Sequence, residues 1–239
     1  MTFGIAGLDP AMHPLMPNEV PAKQEDVRVI PAHDNDLSSS MFVLGLTGSL
    51  GMGKSTTARF FAEAGVPVHD ADAVVHRLYE GEAVRAIEAA FPGTADGGTV
   101  DRGKLAARVL SDPTALKQLE DIVHPLVQAA ERRLIAEAEA RGEKVAVLDI
   151  PLLFETGGDR RVDAIVVVTA PPDVQRSRVL ERPGMTIERL ESILARQMPD
   201  AEKRRRADFV VDTSQGFESA RAQVRAILDA VATMAKRRT

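Results

Sequence analysis

Residues 42–61 read FVLGLTGSLGMGKSTTARFF: an apolar run, a glycine-rich bend that ends in a lysine, and then a segment with helical spacing. The octet at its centre, GSLGMGKS, fits G-x-x-x-x-G-K-[ST] with Gly48, Gly53, Lys54 and Ser55. Glycines let the backbone turn its N–H groups inward around phosphate oxygens, where a Cβ would collide. The helix that follows points the positive end of its dipole at the same place. Lys54 is the cation for the β- and γ-phosphates, and the Ser55 hydroxyl is placed to bind Mg²⁺. A chance glycine-rich turn would not need to fall between a strand and a helix, and this one does.

Outward from the bend, short β-branched runs alternate with helical patterns. The strands read as FVLGLT (42–47), VPVHD (66–70), VAVLDI (145–150), AIVVVTA (164–170) and FVVDT (209–213). Runs apolar on both faces and separated by helices indicate a parallel sheet covered on both sides, so the class is α/β. Two helical stretches interrupt the alternation. The first lies between the second and third strands and includes ALKQLEDIVHPLVQAAERRLIAEAEARG, where Leu116, Leu119, Ile122, Val123, Leu126, Ala130 and Leu134 form an apolar stripe. Pro125 predicts a break or kink there. The second stretch, 173–206, is rich in arginine. Neither completes the sheet, so each is a candidate for substrate contact. Residues 1–40 have no helical or strand period and lack a secretory signal; they read as a disordered extension, with Met41 a candidate native start.

The bulk composition narrows the function. With 35 acidic against 30 basic residues, one Tyr and no Trp, the chain lacks the basic excess or stacking aromatics of a nucleic-acid binder. No cysteine is present, which excludes disulfides, thiolate metal sites and a thiol nucleophile and fits a reducing cytoplasm. The longest apolar run, AIVVV at 164–168, is far too short to span a bilayer. No D-x-x-G occurs, and the only asparagines are Asn18 and Asn35, so a GTPase switch of the usual kind is excluded. A mechanical ATPase would favour a longer chain and an acidic pair after a strand, whereas LDIPLLFE ends its strand on the single Asp149. A small-molecule kinase remains, with a nucleotide-binding regulator as the reading outside enzymes.

A kinase must hold a hydroxyl in line with the γ-phosphate and accept its proton. The second strand ends His69-Asp70-Ala71-Asp72, and C-terminal strand ends open onto the ligand crevice of such sheets. Either carboxylate could instead cap the next helix; the two roles are compatible. His124, beside a proline in an apolar helix, reads by itself as a packed core residue. The run KRRR at 203–206 reads as a solvated face or, together with Arg176, Arg178, Arg182, Arg189 and Arg196, as a lid that supplies cations to the transferred group.

GLTGSLGMGKST, VHDADAVVH, HPLV at 124–127, DIPLLFE at 149–155 and ADFVVDTS at 207–214 together resemble the dephospho-coenzyme A kinase family, in order, from Met41 to about Thr213. The resemblance implies a five-stranded parallel nucleotide-binding core (41–72, 143–172 and 207–239), a helical substrate-binding region (73–142) and a lid (173–206). It implies that ATP, with Mg²⁺, phosphorylates the ribose 3′-hydroxyl of dephospho-CoA; composition and run lengths add the expectation of no nucleic acid, no membrane and a cytoplasmic site, and no obligate protein partner is evident. Another nucleoside or nucleotide acceptor is the runner-up. Carried over by position, ATP binding falls on Gly51, Met52, Gly53, Lys54, Ser55 and Thr56, and the general base on Asp72. His124 falls in the substrate site, Arg178 and Arg182 in the lid, and Lys203 on a basic position before the last strand. Asp149 is a candidate for holding a metal-bound water. The family's usual asparagine after the last strand is replaced here by Thr213, which leaves the contacts at that point open.

Overall fold

The computed structural model describes residues 41–236; the expectation for residues 1–40 lies outside the described residues. Five strands form one parallel sheet: β1 (Phe42–Thr47), β2 (Val68–Asp70), β5 (Val145–Asp149), β6 (Ala164–Thr169) and β7 (Phe209–Asp212), in the order β2-β5-β1-β6-β7. The apolar runs behave as read in the three inner strands, since β5, β1 and β6 bury residues on both sides, whereas the edge strands β2 and β7 leave Asp70 and Val210 exposed. On one face Leu44, Leu46, Val147, Val166, Val168 and Val211 pack against Phe60 and Phe61 of α1 (Lys54–Glu63) and Val224, Ile227 and Val231 of α9 (Phe217–Lys236). On the other, Leu148, Ile165 and Val167 pack with Leu153 and Phe154.

Strand order positions the site. The chain leaves β1 for β2 on one side of the sheet and later forms β6 on the other, so loops diverge above the C-terminal end of β1 and open a crevice there. Register places Asp149 beside both Leu46 and Asp70, and Thr169 beside Asp212. The residues that close each strand therefore form one rim.

The first insertion has its own core. The helices α2 (Ala71–Tyr79), α3 (Val84–Ala90), α4 (Arg102–Val109) and α5 (Pro113–Ala140) bury Val74, Tyr79, Ile87, Leu105, Leu119 and Val127 in a cluster separate from those of the sheet. A two-residue hairpin, β3 (Ala95–Asp96) with β4 (Thr99–Val100), also lies here. The sequence reading missed it, although Asp96-Gly97-Gly98 carries its signal: both glycines have positive φ, as the tight turn between antiparallel strands requires. The break expected at Pro125 is also absent. Helix α5 runs unbroken across it, because Leu116, Leu119, Val123 and Val127 bury its first half while Ala138, with Leu134 and Ile135, anchors its second half beside Met41 and Ala146. Packing at both ends outweighs the one backbone donor that proline removes.

One buried group makes this helical region sensitive to pH. Glu120 is buried in α5 with Oε1 unpartnered, and burial pushes its carboxyl from 4.5 up to about 7, against an opposing pull from Lys117. A carboxyl whose folded pKa is raised binds its proton more tightly in the folded state. Its stabilising contribution is thus present at low pH and lost as pH rises towards the folded value. Glu120→Gln is expected to raise the melting temperature relative to wild type at about pH 8 and to leave it nearly unchanged near pH 4.5. Thermal melts of both proteins across that range check this, and equal pH dependence would refute it.

Candidate active site

The phosphate loop is held from outside by four contacts that leave its inner face open. Gln175 of α6 (Pro172–Leu180) donates from Nε2 to Leu50 O at 2.7 Å, and Gln197 Oε1 accepts from Leu50 N at 3.4 Å. Ala170 N–H points at Met52 Sδ, 3.1 Å away, and the Thr213 hydroxyl lies 2.8 Å from Met52 O. Gly51 shows why this loop needs glycine. Its φ is +79°, and an added Cβ would lie 2.4 Å from Val179 Cγ2. Helix α1 starts at Lys54 after Gly53, which has no side chain to cap the first turn. Its leading N–H groups are therefore available to an anion.

Lys54 Nζ lies 2.5 Å from Asp149 Oδ1, and Asp149 is only 2% exposed. Burial pushes the Asp149 carboxyl above its usual range, Lys54 pulls it back, and Asp70 and Asp72 add to the push. The sequence offered Asp149 as a candidate for holding a metal-bound water; the structure adds the loop lysine as its partner. The signal was its strand-end position, but sequence does not reveal which loop group crosses to a strand end.

The two carboxylates after β2 divide the work that one position could not do alone. Asp70 caps α2, accepting from Ala73 N at 2.9 Å. Asp72 stands in the first turn of α2 with its carboxyl exposed and uncapped. The protein around it raises its pKa, opposed first by Lys54, raised further by Asp70 and lowered by Arg102. Because the side chain still meets water, solvent screens part of that shift. The influence of Lys54 on Asp72 sets the strand-end carboxylate and the loop cation in one electrostatic site.

The second insertion folds as α6, α7 (Ile187–Leu194) and α8 (Asp200–Arg206). Arg178 of α6 donates to Thr213 twice, from Nη1 to Oγ1 and from Nη2 to the carbonyl, both at 2.8 Å. Thr213, in place of the family's asparagine, thus joins the phosphate loop to Arg178 of the arginine-rich insertion. Arg182 is exposed in the turn that follows α6. Lys203 is fully buried against Glu155 at 2.9 Å, and Glu155 Oε1 also accepts from Met198 N at 2.8 Å. The remaining KRRR cations pair within α8: Arg204 with Asp200, and Arg205 and Arg206 with Glu202. They serve their own helix and not the crevice. His124 is half-buried in the middle of α5, between buried Val123 and Pro125.

An uncapped glycine loop, a lysine on a buried carboxylate and an uncapped acidic side chain opposite define a P-loop phosphotransferase. The dephospho-CoA kinase family profile matches residues 42–219. A dephospho-CoA kinase of Rhodopseudomonas palustris (strain CGA009) is 65% identical over 198 residues, covering 83% of this chain and all of that one. A Mesorhizobium japonicum dephospho-CoA kinase is 66% identical over 189 residues, covering 79% of this chain and 96% of that one. Among solved structures, TT1252 of Thermus thermophilus matches with TM-score 0.66 and 38% identity over 80% of this chain and 97% of that one. Dephospho-CoA kinase of Campylobacter jejuni shares the fold at TM-score 0.56 and 21% identity, over 80% of this chain and 98% of that one. The chain belongs to the dephospho-CoA kinase family.

Thr213→Val removes the hydroxyl shared by Met52 O and Arg178. It is expected to cost about 1–3 kcal/mol of stability through unpaired buried polar groups, whereas Thr213→Ser retains most of it. Urea unfolding of the two variants checks this; equal losses would show that the hydroxyl is not what matters.

Proposed function

We propose that this chain transfers the γ-phosphoryl group of ATP to the ribose 3′-hydroxyl of dephospho-CoA, giving CoA and ADP. The family supports the reaction, and the observation that carries its assignment to these residues is the strand-end geometry: Asp149 holds Lys54 and lies beside Asp70, which leads directly into Asp72 in the first turn of α2. The backbone of 51–56 and Lys54 hold the phosphates. The 3′-oxygen attacks the γ-phosphorus, the bond to the β–γ bridging oxygen breaks, and the hydroxyl proton passes to Asp72. Arg178 and Arg182 close over the transferred group and exclude water that would otherwise hydrolyse ATP.

Among the described residues no cluster of three His, Cys, Asp or Glu could hold a metal by itself. That suits Mg²⁺, which takes one or two protein ligands and fills the rest with phosphate oxygens and water. The Ser55 hydroxyl is exposed at the start of α1, where it can serve as one such ligand, and bound Mg²⁺ would neutralise charge developing on the phosphates. The helical region 73–142 is assigned to the acceptor, including His124, and 173–206 to the lid. Among the described residues no helix is long and apolar enough to cross a membrane, and we place the reaction in the cytoplasm.

Parallel incubations with Mg-ATP and dephospho-CoA, adenosine or AMP test the acceptor. Product is expected only with dephospho-CoA; phosphorylated adenosine or AMP would reassign the substrate, and no product anywhere would favour a regulator. Asp72→Asn should keep ATP binding and abolish transfer, and activity within a few-fold of wild type would remove Asp72 as the base. Since Asp72 must be ionised to accept a proton and its pKa is raised, wild-type kcat/KM should fall on acidification with a midpoint above 3.8. Lys54→Ala should lower turnover by about 10²–10³-fold. It also strands the buried Asp149 carboxylate, so Lys54→Met with Asp149→Asn is the control that separates lost catalysis from lost folding.

A further inference from the structure

A cleft of about 340 Å³ opens between α2 and α5 and is bordered by His69 of β2. Its lining residues Val74, Arg77 and Leu78 stand ~140–240° round α2 from Asp72, at about 100° per residue. On α5, Arg133 and Glu137 line it ~180–220° round from His124. The cleft therefore faces away from both of the residues that these helices bring to the proposed reaction. Its volume falls within the range of about 300–1,000 Å³ in which small-molecule sites lie.

Four charged side chains surround the opening: Arg77, Glu82, Arg133 and Glu137. All four are exposed, and among the described residues none forms an ion pair or a side-chain hydrogen bond. Arg133 and Glu137 have the i,i+4 spacing that joins Lys117 to Asp121 on the same helix, yet they form no such pair. His69 adds no charge at neutral pH. It is 3% exposed, with Nε2 closed off from water and unpartnered. Burial first, then Arg77, pushes its imidazole down to about 4, with Asp70 opposing and Arg161 adding to the fall. Two guanidinium groups and two carboxylates therefore balance, so a bare anion or cation meets as much repulsion as attraction. A ligand with one charge of each sign meets partners for both. Between the charges, buried Val74 and Leu78 and half-buried Leu134 form an apolar wall.

We propose that this cleft is a binding site for a small zwitterion of the amino-acid class. Its carboxylate pairs with Arg77 and Arg133, its ammonium group with Glu82 and Glu137, and a short aliphatic side chain lies against Val74, Leu78 and Leu134. Each charged head is met from both sides of the cleft, so the charge-assisted hydrogen bonds fix the ligand's orientation as well as its presence. The site is separate from the phosphate loop and from the Asp72 side of α2. It stands or falls independently of the kinase reading.

Titration of the full chain with L-leucine, followed through the ¹⁵N signals of the His69 ring, tests this. A saturable shift is expected. The probes 4-methylpentanoate, which lacks the ammonium group, and 3-methylbutylamine, which lacks the carboxylate, should bind about tenfold more weakly. Arg133→Gln and Glu137→Gln each replace an exposed side chain, so the fold should hold while leucine affinity falls about threefold or more. Saturating β,γ-imido-ATP or dephospho-CoA should leave leucine affinity within about twofold, because neither reaches the cleft. Absence of a saturable His69 shift up to about 50 mM leucine overturns the proposal. Equal affinity for all three probes, or for wild type and both variants, overturns it too, and displacement of leucine by either reactant would make the cleft part of the reaction site instead.

Discussion

Lys54 Nζ rests 2.5 Å from a carboxylate that is almost wholly shut off from water, and the catalytic end of the sheet is arranged around that contact. A buried pair of this kind adds little net stability, because desolvation of both charges offsets their attraction. Its value lies in poise. Asp149 fixes the ammonium group of the residue that begins α1, directly after the glycine bend. Asp149 can do this because β5 lies between β1, which carries the loop, and β2, which carries Asp70 and leads into Asp72.

The loop itself could not be held by the groups that bind phosphate without blocking them. All its supports come from behind: Gln175 and Val179 of α6, Ala170 after β6, Gln197 after α7 and Thr213 after β7. Three of these five belong to the arginine-rich insertion. That insertion is therefore joined to the loop at its first and last thirds, while the segment around Arg182 between α6 and α7 is exposed.

Much of this was legible in the chain. The strand–loop–helix of 42–61, the α/β alternation and the boundaries of both insertions follow from local pattern, because a buried parallel strand and an amphipathic helix each write their period into sequence. Asp70 as a cap was also legible as one of two options. Other features were not. Pro125 reads as a stop only if α5 is considered by itself, and the helix persists because each half is buried in a different cluster. KRRR reads as one basic unit, yet Lys203 faces inward to Glu155 while its three neighbours pair along α8, a division set by which side of that helix meets the core.

By itself the sequence determined the fold class, the phosphate loop, the acidic residues after the second strand and the family, since each is written in short local patterns, single or in order along the chain. Only the tertiary structure decided that Asp149 receives Lys54 across 95 residues of chain and that Thr213 links the loop to Arg178. Each of these depends on which strand ends lie side by side. That is fixed by sheet order and by packing on both faces, and no local pattern encodes it.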